Sequence, residues 1–192
     1  MSLNMKRLDQ LSDEDIMLLI KDHNHDAFSV LVNRHSERFY ALSYRTLFNQ
    51  SDAEDIVQDS FVKIWRQPEL WKPHKKARFT TWFYRIIVNA CLDHNKKKSA
   101  QELSLEVERP DIEDPNCELD KRSRLSEIED GLLRLPERQR LALNLCFYEG
   151  LSNQQAADIM NIRIKALQSL IMRGKAALKS YFNLSEENQN EK

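Results

Sequence analysis

Residues 135–175 read LPERQRLALNLCFYEGLSNQQAADIMNIRIKALQSLIMRGK, and this stretch sets out three helices separated by two stops. Leu135-Pro136-Glu137 opens the first, with proline at the first helical position, where its missing N–H costs nothing. Gly150 can close that helix in a left-handed cap. Ser152 then caps the second helix, and Gln155 three residues on completes a capping box. Ala156, Ala157, Ile159 and Met160 form its apolar side, the alanine pair being small enough for two helices to approach closely. Asn161 turns the chain, and a third helix is expected from about Arg163 to Tyr181. Two short helices, a tight turn and a longer following helix form the layout that places a helix in the major groove of DNA.

The third helix separates its faces. Ile164, Leu167, Ile171, Gly174 and Leu178 recur at three- and four-residue steps and are expected to face the core. Lys165, Ala166, Gln168, Ser169, Met172, Arg173 and Lys175 are left for the outer surface. Lysine, arginine, glutamine and serine can contact phosphates and base edges, while alanine and methionine offer apolar contact. Gly174 inside a helix costs about 1 kcal/mol relative to alanine, which suggests close packing there.

The net charge of −1 conceals a segregated chain. Residues 1–65 carry seven basic and eleven acidic side chains, and residues 66–98 carry nine basic and two acidic. Residues 99–120 then carry one basic and eight acidic, and residues 121–182 carry eleven basic and six acidic. Two basic modules are therefore separated by an acidic tether. With Pro110, Pro115 and little apolar periodicity, residues 99–120 are expected to be extended and flexible. Their charge could mimic nucleic acid or thread a positively charged channel; a solvated linker held open by self-repulsion reads equally well.

Ahead of the tether the pattern is a helical bundle. Ser12 is expected to cap a helix over Asp13–Lys21, and Asp26 a longer one carrying Phe28, Leu31, Val32, His35, Phe39 and Leu42 on one side. Ser51 and Glu54 suggest another capping box, for a helix ending before Pro68. Its expected buried stripe is Ala53, Ile56, Val57, Phe61, Ile64 and Trp65, leaving Asp55, Gln58, Asp59, Val62, Lys63 and Arg66 outside. A fourth helix buries Phe79, Trp82, Phe83, Ile86, Ile87, Ala90 and Cys91, with Arg85, Asn89 and Asp93 outward beside Thr81 and Tyr84. A basic loop from Trp71 to Arg78 precedes it, and Lys96-Lys97-Lys98 follows it. Basic side chains near aromatics suit a single strand, which needs charge along its backbone and a flat wall for an unstacked base.

Three of these segments, in order, resemble one family. Ala53-Glu54-Asp55-Ile56-Val57-Gln58-Asp59-Ser60-Phe61-Val62-Lys63-Ile64-Trp65 resembles the polymerase-binding segment of bacterial sigma factors. Phe79-Thr80-Thr81-Trp82-Phe83-Tyr84-Arg85-Ile86-Ile87-Val88-Asn89, with Asp93, is similar to the segment that reads the −10 promoter element. Leu135-Pro136-Glu137-Arg138-Gln139-Arg140, with Gly150-Leu151-Ser152 and Ala156-Ala157, resembles the domain that reads the −35 element. The resemblance covers roughly residues 12–182 and points to the extracytoplasmic-function group of the sigma-70 superfamily.

The resemblance implies an all-α chain of two small helical domains joined by a flexible acidic linker. Region 2 would occupy residues 10–98, the linker 99–120, a region 4 helix-turn-helix 121–182, and a disordered tail 183–192. Asp55, Gln58, Asp59, Val62 and Lys63 would dock on the β′ clamp helices of core RNA polymerase. Lys72, Lys75, Lys76, Arg78, Tyr84, Arg85 and Asn89 would hold the opened −10 strand. Arg163, Lys165, Ala166, Gln168, Ser169, Met172, Arg173 and Lys175 would meet the −35 duplex, while another surface of that domain meets the β flap. Many family members carry a Thr-Val-Lys-Ser-Arg-like run where this chain has Ala166-Leu167-Gln168-Ser169-Leu170, so leucine replaces a usual arginine contact. Promoter DNA and an inhibitory anti-sigma factor complete the expected partners, in a stress-response setting.

Other classes find little support. No phosphate-binding glycine loop, nucleophile–base pair or carboxylate constellation is present, so neither catalysis nor a cofactor is expected. No apolar run approaches ~18 residues, and no signal-peptide pattern opens the chain. Cys91, Cys117 and Cys146 are widely spaced, and the i, i+2 spacing of His23 and His25 is poor for a metal, so none is expected and a reducing cytoplasm fits. Two rivals stay open on the residues alone: a helix-turn-helix repressor acting without polymerase, and a helical adaptor whose basic faces bind acidic proteins.

Overall fold

The computed structural model describes residues 7–72, 78–104 and 123–190, with backbone only at 101–104, 123–127 and 184–190. Every element among the described residues is helical. The chain divides into two compact units, the first built on residues up to Asp93 and the second on the helices from Ser123 onward.

The first unit begins with α1 (Asp13–Lys21), α2 (His25–Leu47) and α3 (Gln50–Arg66). Ser12 caps α1 by accepting the Asp15 N–H at 3.1 Å. The other two caps differ from expectation. Asn24, not Asp26, caps α2 by accepting the Ala27 N–H, and Asn49, not Ser51, caps α3 by accepting the Asp52 N–H. In both places a left-handed residue (His23 or Phe48) reverses the chain, and an extended asparagine follows it. Asparagine caps as well as serine or aspartate, so the first one after the turn starts the helix.

A short 3₁₀ turn (Pro68–Leu70) leads towards α4 (Phe79–Ser104). The core is an aromatic cluster that ties α2, α3 and α4 together. Phe39 and Phe83 meet edge to face at 4.6 Å, Phe61 lies 4.9 Å from Phe83, and Phe79 stacks 5.5 Å from Phe83. Each such pair contributes about 0.5–1.5 kcal/mol beyond the area it buries. α4 is rotated relative to its expected stripe. Phe79, Phe83, Ile87 and Cys91 are buried as expected, but so are Tyr84 and Val88, while Trp82, Ile86 and Ala90 are half-buried. The helix also continues through Lys96-Lys97-Lys98 to Ser104, so the first residues of the expected tether are helical and 105–122 lie outside the described residues.

The second unit contains α5 (Ser123–Leu133), α6 (Glu137–Leu143), α7 (Asn153–Ile159) and α8 (Ile164–Asn190). α5 was not expected from the sequence, and α6 runs into a π-helical turn over Asn144–Tyr148. Gly150 takes φ +66 with nothing near its missing Cβ, so its role is the left-handed backbone alone. The capping box forms as expected: the Gln155 N–H donates to Ser152 Oγ at 3.3 Å and the Ser152 N–H to Gln155 Oε1 at 3.0 Å. Asn161 turns left-handed at φ 52, and Ala156, Ala157, Ile159 and Met160 are all buried.

Gly174 explains itself by packing. A Cβ there would lie 3.0 Å from Leu143 Cδ1, so α8 presses on α6 at this point. Leu167 is fully buried, whereas Ile164, expected in the core, is 38% exposed. As the first residue of α8 it leans back beyond the helix start, where no preceding turn covers it. α8 continues to Asn190, beyond the expected end at Tyr181.

Candidate functional site

The α3 surface is built by a clean division. Ala53, Ile56, Val57, Phe61 and Ile64 are buried, which rolls Asp55, Gln58, Asp59, Val62, Lys63 and Arg66 outward, and all six are exposed. Trp65 is half-buried, its ring 4.5 Å from His25 and 5.1 Å from Phe28. The outer row thus offers two carboxylates and an amide around an exposed valine, a surface complementary to a basic helix with an apolar stripe. A groove of about 310 Å³ adjoins it, lined by Ser36, Glu37, Tyr40, Glu54, Val57 and Gln58.

The α4 surface carries the expected cations with one correction. Lys72, Arg78, Arg85 and Asn89 are exposed, and Lys75 and Lys76 lie outside the described residues. Tyr84, expected among the strand-binding residues, is only 2% exposed. Its ring sits 4.9 Å from Phe39, and the Arg38 guanidinium lies 5.3 Å from its centroid. The seven-hit apolar pattern counted Trp82 and Ile86 as core and left Tyr84 out, but the tyrosine packs edge to face on Phe39. Trp82 instead stays partly open beside Arg85 and Asn89, at three- and seven-residue steps on α4. A half-exposed indole near two polar side chains can stack on an unstacked base.

α1 supports this unit through its first-turn carboxylates. Asp13 accepts from Arg34 Nη1 at 2.6 Å and lies 2.9 Å from His35 Nε2. Arg34 also donates to the Leu11 and Asp9 carbonyls. Burial pushes the Asp13 carboxyl upward, but the hydrogen bond and charge of His35, with Arg34, outweigh it and hold the group below its ordinary value. The links from Asp13 to α2 span more than twenty residues and carry no local sequence signal.

On the second unit, Arg163, Lys165, Ala166, Gln168, Met172, Arg173 and Lys175 are exposed and Ser169 is half-buried. Met172, 67% exposed, is the most open of the large apolar side chains described. A groove of about 390 Å³ runs along this face, lined by Arg138, Ile162, Ala166, Ser169, Leu170 and Arg173. Arg138 was not singled out in the sequence, because it belongs to α6 and only the fold brings it beside α8. Lys175 Nζ lies 4.3 Å over the Phe147 ring, so its ammonium is held by an exposed aromatic that the π turn carries.

Elsewhere in this unit, burial lowers the Arg140 pKa, opposed by the charge of Glu137, and burial raises the Cys146 thiol. Among the described residues no group of three His, Cys, Asp or Glu side chains is placed to hold a metal ion, and no helix is long and apolar enough to cross a membrane.

Known proteins share both units. The sigma-70 region 2 model matches residues 31–101, and the sigma-70 region 4 model matches residues 125–178. The ECF RNA polymerase sigma factor SigE of Mycolicibacterium smegmatis is 33% identical over 156 residues, 79% of this chain and 60% of that protein. The ECF RNA polymerase sigma factor SigW of Bacillus subtilis is 29% identical over 172 residues, 83% of this chain and 91% of that protein. CnrH, solved in complex with the cytosolic domain of CnrY, shares the fold at a TM-score of 0.67 and 23% identity, covering 90% of this chain and 97% of that one. The two matched regions together span well over half of the sequence, in the expected order, and the chain belongs to the extracytoplasmic-function group of the sigma-70 family.

Proposed function

We propose that this chain is the promoter-selecting subunit of a bacterial RNA polymerase, initiating transcription at a dedicated set of promoters and carrying no catalytic step of its own. The observation that supports it most is the α3 surface. Asp55, Gln58, Asp59, Val62 and Lys63 stand in solvent on a helix whose other side is buried, which is how a docking face for the β′ clamp helices would be presented. A repressor acting alone has no use for such a face.

The DNA contacts follow from charge and exposure. Lys72, Arg78, Arg85 and Asn89 would hold the opened −10 strand, with Lys75 and Lys76 from the basic segment, and Trp82 would stack on an unstacked base. Unstacking costs a few kcal/mol per step, which backbone contacts and polymerase binding offset. Arg163, Lys165, Ala166, Gln168, Ser169, Met172, Arg173 and Lys175 would enter the −35 major groove. Arg138 extends that basic rim, and another face of this unit would meet the β flap. Two modest binding sites on one chain gain avidity when both can be reached together.

The protein would act in the cytoplasm and be held inactive by an anti-sigma factor. The sigma factor RpoE of Bartonella quintana, 20% identical with a TM-score of 0.67, was solved in complex with the anti-sigma factor NepR. Exposed Met172, Phe147 and Tyr148 give an inhibitor apolar surface to cover. A chain that is fully active in its native cell, with none of it bound by an inhibitor, would overturn that part.

Asp55→Lys combined with Asp59→Lys tests the docking face. Both positions lie off the buried stripe, so helical content and melting should stay unchanged while core polymerase binding is lost. Undiminished affinity would remove α3 from the interface.

A further inference from the structure

One side chain of α1 reaches the first residue of α4. Glu14 Oε1 accepts the backbone N–H of Phe79 at 2.9 Å, a contact across 65 residues of sequence. Its neighbour Asp13 holds His35, whose ring lies 6.0 Å from the Phe79 ring. Phe79 is fully buried, and the buried Trp71 meets it edge to face at 6.3 Å. The first N–H groups of a helix have no partner within it. Here the donor belongs to a residue whose ring is fully buried, and the part-buried bond to Glu14 satisfies it. A carboxylate at this end also meets the positive pole of the helix.

We propose that Glu14 is a positioning residue for promoter-strand recognition. By closing the start of α4 it sets where Arg78, Arg85 and Asn89 stand, and through Trp71 it sets the neighbouring Lys72. The inference rests on the reading of α4 as the strand-binding helix. Glu14 itself is aimed at backbone inside the unit, so it acts through α4 and not by touching DNA. Its two neighbours are engaged elsewhere: Asp13 clasps Arg34 and His35, and Asp15 accepts from the Ser12 hydroxyl at 2.7 Å. Glu14 is the member of the acidic first turn that reaches α4.

The test uses the full chain assembled with bacterial core polymerase on a promoter selected from random fragments. Glu14→Ala should slow opening, followed by 2-aminopurine fluorescence in the −10 element, by about tenfold, the worth of one charge-assisted hydrogen bond. Core affinity should stay at the wild-type value, because α3 is untouched. Glu14→Gln, which keeps an acceptor oxygen, should recover most of the opening rate. Amide exchange at Phe79, read by NMR on the free chain, should accelerate in the alanine variant and much less in the glutamine one.

Three results would overturn the inference. One is a Glu14→Ala holoenzyme that opens the promoter at the wild-type rate. Another is equal loss of core affinity and opening in both variants, which marks a general defect of the unit. The third is Phe79 exchange unaffected by Glu14→Ala. A wild-type chain that opens no promoter at all with core polymerase would instead defeat the strand-binding reading, and with it this role.

Discussion

Asp13→Ala should destabilise the first unit by about 2–4 kcal/mol, and the loss should fade as the solution is acidified. The magnitude comes from what the carboxylate holds. It takes a 2.6 Å bond from Arg34 and faces His35 Nε2 at 2.9 Å, and bonds to charged groups are worth about 1.5–3 kcal/mol each. Arg34 keeps the Leu11 and Asp9 carbonyls after the substitution, so its share is the smaller. His35 loses its carboxylate partner while lodged beside the Phe39 and Phe79 rings, and contributes the larger.

The pH dependence follows from the direction of the shift. The folded Asp13 carboxyl lies below its unfolded value of about 3.8, so its stabilisation is complete above that value and is lost as pH falls through the lower folded one. Wild type should therefore converge on Asp13→Ala in acid. Trp65, Trp71 and Trp82 are the only tryptophans of the chain and all lie in this unit, so urea unfolding followed by tryptophan fluorescence isolates it. Equal midpoints at pH 6, or a gap that stays constant down through the carboxylate range, would refute the reasoning.

Two further predictions concern the nucleic-acid faces. Tyr84→Phe should leave single-strand affinity unchanged, because the ring is packed on Phe39, whereas Tyr84→Ala should destabilise the unit by about 3–5 kcal/mol in urea. Arg173→Ala should weaken binding of a −35 duplex across sequences and lower the slope of log affinity against log salt by about one, as one lost phosphate contact requires.

Helix type was legible wherever the signal was local. The Ser12 cap, the Ser152–Gln155 box, the Gly150 stop and the Asn161 turn each depend on residues within a few positions, and all appear where the sequence placed them. The outward α3 row was legible because a six-member apolar stripe, five members of which are buried, leaves one solution for the opposite side. Caps were misplaced where two good candidates lay within three residues, as with Asn24 against Asp26 and Asn49 against Ser51. Tyr84 was misassigned because periodicity fixes a face only to within one residue, and the ring it packs on, Phe39, belongs to another helix. Arg138 beside α8 and Glu14 on Phe79 join residues far apart in the chain. No window of sequence contains such a contact. α5 was missed because its apolar residues follow directly on the charge-rich tether.

The central claim is tested most directly by transcription from a pool of random promoter fragments with bacterial core polymerase, with and without this chain. The account predicts chain-dependent transcripts that start a fixed distance below a shared two-part element, and their loss with the Asp55→Lys, Asp59→Lys variant. Silence with a competent core enzyme, together with tight binding of a specific duplex by the chain alone, would contradict it and favour a repressor.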